Sequence, residues 1–101
     1  MNYLTEIARR IRAAVPPSLV PEDSDDLFLL YAVLAESQGV KTSTEDVHNA
    51  WTAWKILHGE DHQSMVPFSE LPPDVKAEDE PFAEAIRKVA AVGEGERKPE
   101  G

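Results

Sequence analysis

The sequence predicts an all-α protein: a small bundle of four main helices, at about residues 3–15, 24–38, 44–58 and 81–92, with short helical turns near 67–71 and 73–78. Three observations carry that prediction. Apolar residues recur at steps of three and four in each of the four stretches. No segment sustains the period-two alternation of a half-buried strand. Proline or glycine stands at the boundaries, where it ends or restarts a helix.

The first helix carries Leu4, Ile7, Ala8, Ile11, Ala14 and Val15 on one stripe, with Arg9, Arg10 and Arg12 off it. Asn2 is its candidate cap, and Pro16-Pro17 ends it because neither proline can donate to the helix. The arginines form a basic, solvent-facing surface placed to pair with the acidic segment that follows. Residues 16–23, PPSLVPED, read as an extended linker pinned to the core by Leu19 and Val20. Asp23 or Ser24 caps the second helix, and Asp25 and Asp26 suit the positive end of its dipole. Leu27, Leu30, Tyr31 and Leu34 make its stripe, and Phe28, Leu29, Ala32, Val33 and Ala35 widen it. A helix so broadly apolar is expected at the centre, packed on two or more neighbours. Gly39 ends it, with Val40 placed for the hydrophobic contact of a C-cap.

The densest stretch runs from Thr44 to Pro72 and holds both tryptophans and all three histidines. Ser43 with Asp46 has the spacing of a capping box, Val47, Ala50, Trp51, Trp54 and Leu57 form one stripe, and Gly59 is the natural stop. Each indole covers roughly 150–250 Å². The pair therefore contributes on the order of 7–12 kcal/mol before chain entropy is subtracted, and both are expected in the core. The alternative is an aromatic wall for a stacked ligand, and it applies mainly to Trp54, the nearer to the loop. After a polar loop at 60–64, Met65-Val66-Pro67-Phe68 is expected to fold back as a lid over both indoles. His48, on the first turn of the helix, is expected to tether backbone carbonyls of Met65–Phe68. Pro72-Pro73 opens a short helix, and Pro81 starts the last one, with Phe82, Ala85, Ile86, Val89 and Ala90 on its stripe. Gly93 is expected to stop it. The domain then spans 1–92, with 93–101 a disordered tail.

The chain has 101 residues, enough for one domain, and a net charge of −9, which argues against nucleic-acid binding through phosphates. It has no cysteine, so disulfide and thiolate chemistry are excluded and a reducing cytoplasm fits. No apolar run reaches the ~18 residues of a membrane span, and no signal-peptide core is present at the N-terminus. His58 and His62 have the four-residue spacing of a zinc pair, but Gly59 breaks the helix between them, so no metal site is expected. There is no phosphate-binding glycine loop and no G-x-S-x-G nucleophile turn. The acidic clusters sit at helix starts, where capping accounts for them. The expectation is no enzyme, no catalytic residue and no cofactor.

Val47-His48-x-x-Trp51, then Lys55-Ile56-x-x-Gly59, then His62-x-x-Met65-Val66-Pro67-Phe68-x-x-Leu71-Pro72, followed by Lys76 and Asp79, resemble the RyR domain. That repeat is named for ryanodine receptors and is also found in small bacterial and phage proteins. The resemblance covers about residues 44–92, and the whole chain looks like small proteins of actinobacteria and their phages. It implies a non-catalytic helical binding module, monomeric or homodimeric. Because adenine nucleotides bind a pair of such repeats in the receptors, it implies a nucleotide-like ligand or a host protein as partner. The candidate ligand edge is Trp54, Lys55, His58 and His62: a ring to stack a base and an ammonium to meet a phosphate. Val47, His48, Trp51, Gly59, Met65, Val66, Pro67, Phe68, Leu71 and Pro72 are then structural. The alternative is an acidic interaction or structural protein with no small ligand, whose complexes weaken with salt.

Overall fold

The structure, a computed structural model, describes residues 2–96, with side chains through Gly93. Its helices are α1 (Tyr3–Ala14), α2 (Asp25–Ser37), α3 (Thr44–Leu57), α4 (Pro73–Ala77) and α5 (Glu80–Glu96). Single 3-10 turns stand at Pro17–Leu19, Gly39–Lys41 and Phe68–Glu70, and no strand occurs among the described residues. The protein is all-α, as its periodicity requires.

Local chemistry sets the helix ends. The Asn2 side chain accepts from the Thr5 amide at 2.8 Å and caps α1. α1 stops at Ala14, with Val15 already extended ahead of Pro16. Ser43 and Asp46 form the reciprocal capping box of α3, with bonds of 3.1 and 2.9 Å. Gly39 and Gly59 follow α2 and α3 with φ of 58° and 68°, the left-handed conformation that glycine enters cheaply. Ser24 stands at the N-cap of α2, but its hydroxyl donates back to the Pro21 carbonyl at 2.6 Å instead of capping the helix.

α2 is the central helix and packs on α1, α3 and α5. Its Leu27, Phe28, Tyr31, Ala32 and Ala35 are buried with Ala8, Ile11 and Val15 from the first segment, Val47 and Trp54 from α3, and Ala83, Ala85, Ile86 and Ala90 from α5. Phe28 meets Tyr31 edge to face at 5.3 Å, and Tyr31 meets Phe82 of α5 at 5.8 Å. The widened stripe of α2 is not buried all round: Leu29 and Val33 face outward, one turn apart.

Four expectations change. Gly93 lies inside α5, which runs to Glu96, so glycine at that point does not end the helix. Residues 97–101 of the expected tail lie outside the described residues. Val40 and Leu19 are exposed, and of the two pins of the linker only Val20 packs on the core. Trp51 is only partly buried, while Trp54 is 5% exposed. The lid therefore does not seal both indoles. It meets α3 at His48, whose ring lies 6.0 Å from that of Phe68.

Candidate functional site

A cavity of about 440 Å³ opens where α2, α3, the loop at 62–64 and the turn between α4 and α5 come together. Tyr31 comes from α2, His48 and Trp51 from α3, His62 from the loop, Asp79 from the turn and Phe82 from α5. Its volume lies at the lower end of the ~300–1,000 Å³ that hold small organic ligands.

The floor of the site follows from one tether. His48 is 3% exposed, and its Nε2–H donates to the carbonyl oxygen of Val66 at 2.6 Å. A carbonyl only accepts, so the proton lies on Nε2. The bond closes the chain from Gly59 back onto the first turn of α3 and fixes where the intervening loop stands. His62 then rests edge-on against Trp51, ring centres 5.4 Å apart, and its Nδ1 accepts from the Ser64 amide at 3.0 Å. The His48 ring stacks on Trp51 at 5.8 Å. Trp51 thus contacts two imidazoles and lines the cavity.

Two polar groups on the cavity are not engaged by the fold. The Tyr31 side chain is 99% removed from solvent (1% exposed), yet no hydrogen bond reaches its hydroxyl among the described residues. Burial, with the nearby Asp79 carboxylate, pushes its phenol above the usual tyrosine range. The half-buried Asp79 carboxyl likewise has no hydrogen bond or ion pair among the described residues, and it does not cap α5 through its side chain. Burial pushes it up to about 6, against the opposing pull of His48 and with a smaller push from Glu78.

The ligand edge expected from sequence is divided. Trp54 donates its Nε1–H to Asp26 Oδ1 at 2.7 Å, and His58 Nε2 lies 2.6 Å from Asp26 Oδ2. The bond to His58, and after it the one to Trp54, holds the Asp26 carboxyl below the usual range. Lys55 reaches Glu60 at 3.0 Å and lies over both indoles, 5.7 and 5.3 Å from their centres. Of the four expected residues only His62 lines the cavity, and the indole beside it is that of Trp51 rather than Trp54. Sequence reasoning missed Tyr31 and Asp79 as site residues. The available signal for Tyr31 was a hydroxyl within an apolar stripe, since a buried phenol ordinarily finds a partner. Asp26, the shared acceptor, read as one more first-turn acid.

Among the described residues no group of three or more His, Asp or Glu side chains is placed to hold a metal ion. No helix is long and apolar enough to cross a membrane, again among the described residues. No curated protein and no solved structure matches the chain. The resemblance to the RyR domain is overturned, because the family that the chain does match is a different one and extends over residues 2–91. The residues behind that resemblance have a local reason of their own: a histidine tether, a ring beside it and a proline-turned lid are what closing this loop onto α3 requires. The match also takes in α1 and α2, which the resemblance left out and on which the core is built. It carries no statement of ligand or source; what it establishes is that the chain belongs to the family described as Domain of unknown function (DUF7701).

Proposed function

We propose that this protein is a non-catalytic binding module whose ligand is a small organic molecule held in the cavity between α2, α3 and the α4–α5 turn. The observation that carries the reading is a concave site with aromatic walls from three helices, which also presents an unengaged hydroxyl and an unengaged carboxyl. A packed interior satisfies its polar groups; a site that recognises something leaves a few of them facing inward. The ligand group is then Tyr31, Trp51, His62, Asp79 and Phe82, while Trp54, Lys55 and His58 serve the fold through Asp26 and Glu60. A nucleotide is no longer favoured, because it rested on the resemblance alone. A reducing cytoplasm suits a cysteine-free chain, and the proposal places the module there.

The test is a fragment screen read by two-dimensional NMR on labelled protein. Trp51 and Trp54 report separately through their indole N–H signals. Ligands of the cavity shift Trp51 and leave Trp54, bonded to Asp26, in place. A library that moves neither indole, or that moves Trp54 first, counts against the reading. A second reading, contact with a basic protein, is favoured by the net charge of −9. It requires an affinity that falls steeply with salt, whereas a ligand in the cavity leaves the surface charge where it is.

A further inference from the structure

We propose that the cavity selects a small organic cation, an ammonium carried on an apolar body, with its charge at Asp79 and its body against the rings of Tyr31, Trp51 and Phe82. This rests on the reading of the cavity as a ligand site and names the class of ligand.

Charge makes the first cut. The ionisable groups that line the cavity are Tyr31, His48, His62, Glu78 and Asp79, and neither lysine nor arginine is among them. A phosphate or carboxylate entering here meets two carboxyl groups and no lysine or arginine in the lining. Lys55, 5.7 Å from the centre of the Trp51 ring, is paired with Glu60 at 3.0 Å, and Lys76 lies over the Phe68 ring at 5.2 Å. The walls make the second cut. Aromatic faces attract cations, and more strongly once water is removed; Tyr31, Trp51 and Phe82 all present surface to this space. The third argument is the unengaged pair. A phenolic oxygen accepts from an ammonium N–H, and a carboxylate neutralises it. Neither has a hydrogen bond among the described residues, where Tyr31 is 1% exposed and Asp79 half-buried. The raised proton affinity of Asp79 agrees, because a carboxylate stripped of water and left without a cation prefers to hold a proton. A cationic ligand supplies the missing partner.

The experiment uses three probes of one shape and different charge, phenethylammonium, 2-phenylethanol and phenylacetate, titrated into the full chain and followed by the Trp51 indole signal and by calorimetry. The expected order is phenethylammonium at least about tenfold tighter than 2-phenylethanol, with phenylacetate weakest. Phenethylammonium keeps its charge from pH 5 to 7.5, so its affinity should rise about tenfold over that interval as Asp79 ionises. His48, His62, Glu78 and Tyr31 are the titratable groups facing Asp79. Asp79→Asn separates its contribution from theirs. That variant should lose the preference for phenethylammonium over 2-phenylethanol. Equal or tighter binding of the neutral or anionic probe overturns the assignment but leaves the ligand module standing. Retention of the cation preference in Asp79→Asn overturns it too, as does an affinity that does not change with pH in the unaltered protein. No response to any probe, together with an empty fragment screen, removes both readings.

Discussion

Asp79→Asn should make this protein more stable, and only above mildly acid pH. The Asp79 carboxyl is half-buried without a hydrogen bond or ion pair, and burial raises it from an ordinary 3.8 to about 6. A folded-state value above the unfolded one means that the unfolded chain releases this proton first. Below about pH 4 both states hold the proton and the group is neutral to stability. Between about pH 4 and 6 the unfolded state gains, and above about pH 6 the full penalty is present. Each tenfold change in proton affinity is about 1.4 kcal/mol, so the displacement corresponds to about 3 kcal/mol; with half the group in water, screening brings the expected effect to about 1–2 kcal/mol. Asparagine keeps the shape and removes the charge. Urea unfolding of both proteins at pH 4, 5.5 and 7.5, followed by helical circular dichroism, measures the difference. The variant should match the parent at pH 4 and exceed it at pH 7.5. A variant that is less stable at pH 7.5, or equally displaced at every pH, would refute the argument that this carboxylate is held in the fold at a loss.

Three further outcomes are expected. His48→Ala removes a buried ring and leaves the Val66 carbonyl without its donor, so it should cost about 2–4 kcal/mol; amide exchange across residues 62–71 should accelerate more than in α1, and uniform acceleration would show that the tether does not hold the lid. Asp26→Asn should cost less than about 1 kcal/mol at neutral pH, because its bonds to His58 and Trp54 lie at a wet edge. Asp26 sits below its usual range when folded, so its contribution is present above the unfolded value and disappears as pH falls through the folded one; a loss that persists in acid would contradict this. Gly59→Ala should cost about 1 kcal/mol through backbone strain alone, since φ is 68° and an added Cβ meets nothing within 4 Å. No change in the urea midpoint would count against the left-handed stop.

The parts of the fold that were legible in the sequence are those written in short range. Asn2, the Ser43–Asp46 box, Gly39, Gly59 and the proline-led turns each act within four residues, and a single chain displays them. The His48 tether spans 18 residues and was still readable, because an apolar return after a polar loop has few places to go. The site was not legible for the opposite reason. A stripe says that Trp51 and Trp54 face inward but not which neighbour each one meets. Asp26, 28 residues away in sequence, takes Trp54, and only that choice leaves Trp51 to the cavity. Asp79 stands at a helix start like several other acids of the chain, and its burial sets it apart.

The acids divide by what they do for the fold. Glu6 holds Arg9 and Arg10, Asp25 holds Arg12, Asp46 closes a cap, Glu60 holds Lys55 and Glu80 holds Arg87. Asp26 gathers an indole and an imidazole. Each of these returns something to the structure, even where the return is small. Asp79 returns nothing that the described residues show: it is buried enough to lose water, near enough to Glu78 to be repelled, and without a hydrogen bond. The Tyr31 hydroxyl, on the same cavity, has no hydrogen bond among the described residues either. Broken local rules are expected at sites. Two polar groups without a hydrogen bond in one aromatic-walled space separate this cavity from the groove between α1 and α2, where Arg9, Arg12 and Asp25 are paired.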